Sequence, residues 1–494
     1  MNNKDILSFG NACKSFLLTE SLNKLRTYGR SIGVDTPTTW KKTDLVEQIV
    51  GILTGEIASI PISKRGAPVK DDNVDTRILM EIEKIRSIYL FDIFPQEIKE
   101  KESKEVCEYK NVLLLESSSK ELFRNADRVE KVTGQLQEID DVCYLLPLDC
   151  INREKPIIIH KADVIKNHLR EGDVLSCLAC EGDAAYIVGQ VETINNVSIS
   201  KYYRNRFEDC TPCNPHYPLN TYNGEEAAAL SCKYLSFLLP LQRGYRCCFI
   251  SPPKMGKTYI LQELTNAIKV QNTDVKVLAL LVEQAPENVT AFQSVLGKEN
   301  VVYTTYEDSV EKQVFAAEFL LKRAKRFVEN KQDVVLFVDS FNALAKAYNE
   351  TDDSTGGKTL VCGLESKTLQ YVKQYFGNAR CFSEGGSLTI IGTLSVSTGN
   401  PADDIIASEI SQISTYEVRL NEEMARKHIY PALDVSQIYV KQAGNEWDVS
   451  RREILNKILA EYLPRFGAEK LLKDVAEAED GGDFAFKIRT NLSK

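Results

Sequence analysis

The sequence predicts a multi-domain chain built around an α/β core, with a small β-barrel and a small helical domain ahead of it, and three observations carry that reading. Residues 235 to 450 alternate apolar, strand-like runs (CCFIS, VLALLVE, VVLFVDS, SLTIIGTLS, QIYVK) with helical stretches such as VFAAEFLLKRAKRFVEN. That alternation is the signature of a mostly parallel sheet covered by helices. One loop in this region, SPPKMGKT at 251–258, joins a strand to a helix and ends in Gly256-Lys257-Thr258, the close of a phosphate-binding loop. From about 131 to 222 the pattern changes to the short β-rich runs PIIIH, DVLSCLAC and AAYIVGQVETI, with Gly172-Asp173 and Gly182-Asp183 as turn signals. A small barrel fits these runs.

Taken in order, four segments emerge. Residues 1–58 read as a helical module: Leu22, Leu25 and Ile32, then Leu45, Val46, Ile49 and Leu53 recur at helical spacing. Its Lys24, Arg26, Arg30, Lys41 and Lys42 fit either phosphate contacts or a solvated helical face. Residues 59–130, with the charged run from Gln96 to Val106, read as a variable linker with helical content. Residues 131–222 form the barrel. Residues 223–494 form the α/β core, closed by the helices RREILNKILAEYL and EKLLKDVAEAE.

Composition narrows the function classes. The chain has 494 residues, 43% of them hydrophobic and 27% charged, an ordinary globular balance. No run approaches the roughly 18 apolar residues that span a bilayer, and the N-terminus lacks the apolar core of a secretory signal. A cytoplasmic protein with no membrane partner is expected. Thirteen cysteines, an odd number, suit a reducing compartment. A net charge of −9 argues against a surface that binds nucleic acid everywhere, so any RNA contact is local.

The candidate site follows from the loop. Backbone N–H groups of such a loop, and of the helix after it, face phosphates; Lys257 reaches the terminal phosphates and the Thr258 hydroxyl holds magnesium. Ser251, Lys254, Met255, Gly256 and Tyr259 complete the local set, and a nucleotide phosphate with Mg2+ is the expected ligand. Asp339, at the end of VVLFVDS, suits a second magnesium contact, although Asp and Ser also cap helices. VLALLVE ends in Glu283, followed by Gln284, where hydrolysis needs a group that orients or activates water. Cys177/Cys180 and Cys210/Cys213 are paired CxxC motifs, a zinc signal, but the first lies in a strand-like run where i and i+3 face opposite ways. The four histidines, among them His160 and His428, form no metal spacing.

The stretches LPLQRGYR, FISPPKMGKT, APENVT, DVVLFVDSFNALAKAYN, GGKTLVCGL, YFGNAR, SEGGSLTIIGT and YPALD together resemble the bacterial transcription termination factor Rho family in order and spacing. The resemblance covers about 235–445 and continues more weakly through the barrel and the N-terminal helices. It implies a RecA-like P-loop core, an OB-type barrel that binds RNA, and a small N-terminal helical domain. It further implies a homo-hexameric ring that pulls single-stranded RNA, the nascent transcript, by hydrolysing ATP between subunits, with RNA polymerase or an active Rho as further partners.

Carried over position by position, the resemblance is uneven. Lys254, Lys257, Thr258 and Asp339 match the family's phosphate and magnesium groups, and Tyr430 stands where an aromatic stacks on adenine. The family's Asp-Glu-Arg-Pro appears as Glu283-Gln284-Ala285-Pro286, so Gln284 replaces the catalytic carboxylate. Lys441 replaces the arginine finger, keeping charge without the planar fork, and His428 replaces a second interface arginine. Ala343 replaces a further arginine, in the helix after Asp339. Lys358 keeps one central RNA-gripping lysine, while the later one is replaced near Pro401. In the barrel Tyr144 is the stacking candidate, with His160, Tyr186, Tyr202 and Tyr203 as outer candidates. The expected function is a Rho-like, ATP- and RNA-binding ring protein with weakened hydrolysis; the alternative is an impaired regulatory relative that modulates an active Rho.

Overall fold

The computed structural model describes residues 13–31, 34, 39–54, 57, 113–114, 129–150, 155–181, 185–198, 205–214, 217–224, 229–351, 361–440 and 449–493. The chain divides into two units, residues 1–110 and 111–494. In the first, α1 (Leu22–Ser31) and α2 (Lys42–Thr54) enclose a small core of Leu25, Tyr28, Leu45, Val46 and Ile49. The charged run at 96–106 lies outside the described residues.

The second unit opens with a barrel of β1 (Val129–Ile139), β2 (Val142–Leu146), β3 (Ile157–Ile159), β4 (Val174–Glu181) and β5 (Tyr186–Ile194), with α3 (Lys161–Lys166) between β3 and β4. β1 runs antiparallel to both β2 and β4, β2 to β3, and β4 to β5, while β3 lies parallel to β5 and completes the circuit. This closed five-stranded order is OB-like. Period-two alternation fills it: on β2, Cys143 and Leu145 face the core and Tyr144 takes the outer face.

The core carries α4 (Leu230–Leu238), β6 (Arg246–Ser251), α5 (Lys257–Gln271), β7 (Val275–Leu281), α6 (Pro286–Leu296), β8 (Val301–Tyr303), α7 (Val310–Glu329), β9 (Asp333–Asp339), α8 (Phe341–Thr351), α9 (Ser366–Gly377), β10 (Arg380–Phe382), β11 (Ser387–Ser395), α10 (Pro401–Ser411), β12 (Tyr416–Arg419), α11 (Glu422–Arg426) and β13 (Tyr439–Val440), then α12 (Val449–Lys457), α13 (Leu463–Glu477) and α14 (Gly481–Ser493). The main sheet runs β8-β7-β9-β11-β6-β12-β13 and is parallel through β12. Its inner strands are apolar on both faces. On β6, Cys247 and Phe249 enter one core layer while Cys248 and Ile250 enter the other. Two sequence expectations shift here. The run VLALLVE leaves the sheet after Leu281: its parallel ladder with β9 closes on the bond from Val282 N–H to the Asp339 carbonyl at 2.8 Å, and Glu283, at φ 53°, then turns the chain out of extended geometry. QIYVK contributes only β13, an antiparallel edge on β12.

α7 mounts the barrel on the core. Arg323 is buried, 1% exposed. Its Nε donates to Gln135 Oε1 of β1 at 2.6 Å, Nη2 to the Leu148 carbonyl at 2.5 Å and Nη1 to the Glu299 carbonyl at 2.8 Å. Gln135 returns a bond to the Phe319 carbonyl at 2.7 Å. Glu329, at the end of α7, pairs with Arg170 of the barrel at 2.7 Å and accepts from Phe207 N–H at 2.9 Å. Each buried acceptor left without its donor costs about 1–3 kcal/mol. Arg323→Met should therefore lower stability by about 3 kcal/mol or more, read as the midpoint of the first urea transition. A loss below about 1 kcal/mol would mean that apolar contact alone seats the barrel.

Candidate nucleotide site

β6 ends at Ser251, and Gly256, at φ 91°, turns the chain into α5. A side chain at that φ would be strained, and a Cβ there would sit 3.2 Å from the Tyr430 ring. Glycine answers both constraints. The first turn of α5 has no side-chain cap, so its N–H groups point out of the helix end, an arrangement that favours anions. Lys257 folds back over the loop: its Nζ donates to the Ser251 carbonyl at 2.9 Å, Ser251 Oγ at 3.0 Å and the Pro252 carbonyl at 3.0 Å. Burial lowers its pKa from 10.5 to about 8, with Asp339 pulling the other way.

Asp339 stands at the end of β9 and is 3% exposed. Thr258 Oγ1 donates to its Oδ2 at 2.7 Å, and Thr393 Oγ1, from β11, to its Oδ1 at 2.5 Å. Burial still drives the Asp339 pKa upward, against those two donors and the Lys257 charge. The helix-capping duty falls to its neighbour, since Ser340 Oγ accepts from Ala343 N–H at 3.3 Å. The carboxylate is thus left for the cleft, where a divalent cation beside Thr258 would offset its burial. Gly392 lets this corner close: a Cβ there would meet the Phe341 ring at 2.2 Å, so α8 starts flush against β11.

Gln284 lies beyond the end of β7. Its Nε2 donates to the Asp339 carbonyl at 3.4 Å, its Oε1 accepts from Asn288 Nδ2 at 3.1 Å, and its backbone N–H holds the Thr304 carbonyl at 3.1 Å. Pro253 to Tyr259, Gln284, Asn288, Asp339, Ser340 and Thr393 thereby surround one cleft of about 480 Å³, while Ser251 lies behind it, buried against Lys257 Nζ. Glu283 is not part of its lining; the Glu283 N–H lies 3.4 Å from Thr304 Oγ1. Tyr430 covers Gly256 and meets Tyr259 edge to face at 5.1 Å between ring centroids.

Residues 231–439 match the ATP synthase alpha/beta family, nucleotide-binding domain. Among curated relatives, transcription termination factor Rho of Karelsulcia muelleri is 36% identical over 291 residues, 58% of this chain and 76% of that one. Rho of Escherichia coli K12 is 31% identical over 337 residues, 66% and 80% of the two chains. This chain belongs to the Rho family. Its match to Rho of Borreliella burgdorferi, at 32% identity, spans 64% of this chain but only 62% of that relative. A solved ATPase of the type III secretion system of pathogenic bacteria has 18% identity and a TM-score of 0.47 over 62% of this chain and 93% of its own.

In this Rho-family chain the other sequence candidates lie apart from the cleft or outside the described residues. Lys441, Lys358, Tyr202 and Tyr203 are outside them. His428 is exposed at φ 58° after α11, and Ala343 is buried in α8. Tyr144 is half-buried on the outer barrel face, paired across β2–β3 with Ile158. Tyr186, at the start of β5, instead packs against the barrel core. His160 precedes α3, and its buried Nε2 has no hydrogen-bond partner among the described residues. Of the CxxC pairs, Cys177 joins Leu175 and Ala179 in the barrel core while the Cys180 thiol donates to the Ile187 carbonyl at 3.4 Å. Cys213 pairs across strands with Cys381. Thr393, Asn288 and Ser340 were not anticipated. Thr393 carried a signal, a lone hydroxyl near the end of the apolar run SLTIIGTLS.

Lys257 also sets a pH dependence. Between about 8 and 10.5 the unfolded chain holds more protons on this lysine than the folded one, so its contribution to stability rises with pH across that window. Lys257→Met removes the effect. The stability difference between variant and wild type should shift by about 3 kcal/mol in favour of wild type from pH 7 to pH 10.5. Urea titrations at both pH values check this, and a constant difference would mean that the loop carbonyls fully offset the burial.

Proposed function

We propose that this chain is an ATP- and RNA-binding ring protein of transcription termination in which hydrolysis is weakened. One observation carries the reading: the cleft is furnished for nucleotide, but Gln284 occupies the position from which water would be activated. Its amide is tied to Asn288 and to the Asp339 carbonyl. An amide can orient water, but it cannot take the proton that attack on a phosphate releases.

In this reading the N–H groups of α5 bind the β- and γ-phosphates, and Lys257 exchanges its three loop oxygens for phosphate oxygens. Lys254, exposed at φ 65°, covers the outer side. Thr258 and Asp339 would hold magnesium, which would supply charge neutralisation at the phosphates. Tyr430 and Tyr259 flank the base. Lys441 and His428 act on a neighbouring subunit's nucleotide, with lysine lacking the fork that makes an arginine finger effective. RNA binds the barrel at Tyr144 and the ring centre at Lys358, and a homo-hexamer is the assembly that places these groups in trans.

The test is ATP hydrolysis by the purified protein with and without cytidine-rich RNA, beside an ATP-binding titration on the same sample. Binding with feeble turnover is expected; brisk RNA-stimulated turnover would sink the weakened-hydrolysis reading. Gln284→Glu combined with Lys441→Arg should raise RNA-stimulated turnover at least about tenfold, since arginine fingers alone are worth roughly 10³–10⁵. For the barrel, Tyr144→Ala should weaken binding of a cytidine-rich oligonucleotide about tenfold, as stacking contributes about 1–3 kcal/mol per base. Unchanged affinity in fluorescence anisotropy would remove Tyr144 from the RNA site.

A further inference from the structure

Three side chains from separate elements converge beside the cleft on a carboxylate that the phosphate and magnesium chemistry does not use. Glu263 lies on α5, four residues beyond Tyr259 and so on the same face of the helix. Ser231, in the first turn of α4, donates to Glu263 Oε2. The Tyr430 hydroxyl donates to the same oxygen at 3.5 Å, the outer limit of a useful bond. Tyr259 is near enough for the Glu263 charge to push its phenol pKa up. Among the described residues no Lys or Arg forms an ion pair with Glu263. Burial raises its pKa, so the carboxylate is supplied with neutral hydroxyl donors alone, one of them at long range.

Such a group gains from a nitrogen donor, because hydrogen bonds to a charged acceptor are stronger than neutral ones. The Tyr430 ring lies directly over the phosphate-loop glycine and is 37% exposed, while Tyr259 is 54% exposed. A base resting on the Tyr430 face sits about 3.5–4 Å above it. Its outer edge then overhangs the phenol tip, and with it Glu263.

We propose that Glu263 reads the base edge: the carboxylate accepts a hydrogen bond from an exocyclic amine, adenine N6, in the place the Tyr430 hydroxyl now occupies. This rests on the nucleotide reading above. Guanine in the same pose presents a carbonyl oxygen to the carboxylate, and like polarity disfavours it. Tyr259 and Tyr430 hold the base plane, Ser231 holds the carboxylate, and Glu263 is the specificity-determining residue.

The test compares the full-length protein and Glu263→Ala in calorimetric titrations with ATP, purine riboside triphosphate and inorganic tripolyphosphate, all with magnesium. Purine riboside triphosphate keeps the ring and lacks the amine; tripolyphosphate keeps only the phosphates. Wild type should bind ATP at least about tenfold more tightly than purine riboside triphosphate, as fits one hydrogen bond to a charged group. Glu263→Ala should lose that preference through weaker ATP binding, with the other two affinities unchanged. Equal wild-type affinities for the two nucleosides, or an equal loss for both in the variant, would overturn the base-edge assignment. Should the alanine variant not fold, Glu263→Gln should reduce the preference severalfold; a retained preference would overturn it too. Failure of wild type to bind tripolyphosphate and ATP alike would overturn the nucleotide reading itself.

Discussion

A carboxylate buried where three elements end is the constraint around which the core is arranged. Asp339 leaves β9 into a space closed by β11 and by the first turn of α5, and its oxygens are held by Thr393 and Thr258. Charge is costly there, and the surroundings offset only part of that cost, so its pKa stays raised. The neighbouring features follow from keeping this corner tight. Gly392 lets Phe341 lie on the sheet, Ser340 takes over the capping of α8, and the Asp339 carbonyl anchors both Val282 N–H and the Gln284 amide. Lys257 is the counterpart, a cation brought under cover and held by loop oxygens. A site organised this way carries strained charges of both signs, each short of a full partner, and so accommodates a polyanion with its cation better than either alone.

The strand, loop and helix around Gly256 are legible in the sequence because their determinants are local. An apolar strand, a glycine at positive φ and a helix start lie within a dozen residues, and backbone geometry does the rest. The alternation of sheet and helix is legible for the same reason, since Cys247 to Ile250 divide between two core layers by periodicity alone. Glu263 is not legible, because its partners Ser231 and Tyr430 stand 32 and 167 residues away. Nor is Arg323, which reads as one more charge in LLKRAKRF until Gln135, 188 residues earlier, meets it. The end of the strand in VLALLVE is not legible either, because nothing in the run marks Glu283 as the residue that takes φ 53° and turns the chain out of the sheet.

The barrel and the core meet through apolar contacts, with Val174 and Phe207 in one cluster with Phe319 and Phe327, and through a set of polar groups beside them. Gln135, Arg323 and Glu329 are buried and Arg170 is half-buried, and all four lose their partners if the two parts separate. Polar joints of this kind fix orientation, since hydrogen bonds tolerate less angular error than apolar contact. The outer barrel face that carries Tyr144 is therefore held at a set angle to the cleft, as both belong to the same unit.

Mechanically, this joint makes α7 a strut between the barrel and the sheet. A displacement of the barrel is felt by β1 and, through the guanidinium of Arg323, by a 20-residue helix packed along the sheet, as well as through the connecting chain. The three bonds of that guanidinium point to three separate segments, β1, the loop at Leu148 and the carbonyl of Glu299, so a pull in any one direction leaves at least one of them off the line of force. A barrel fastened in this way moves with the sheet, and a displacement at one end of the assembly is delivered to the other with little slack.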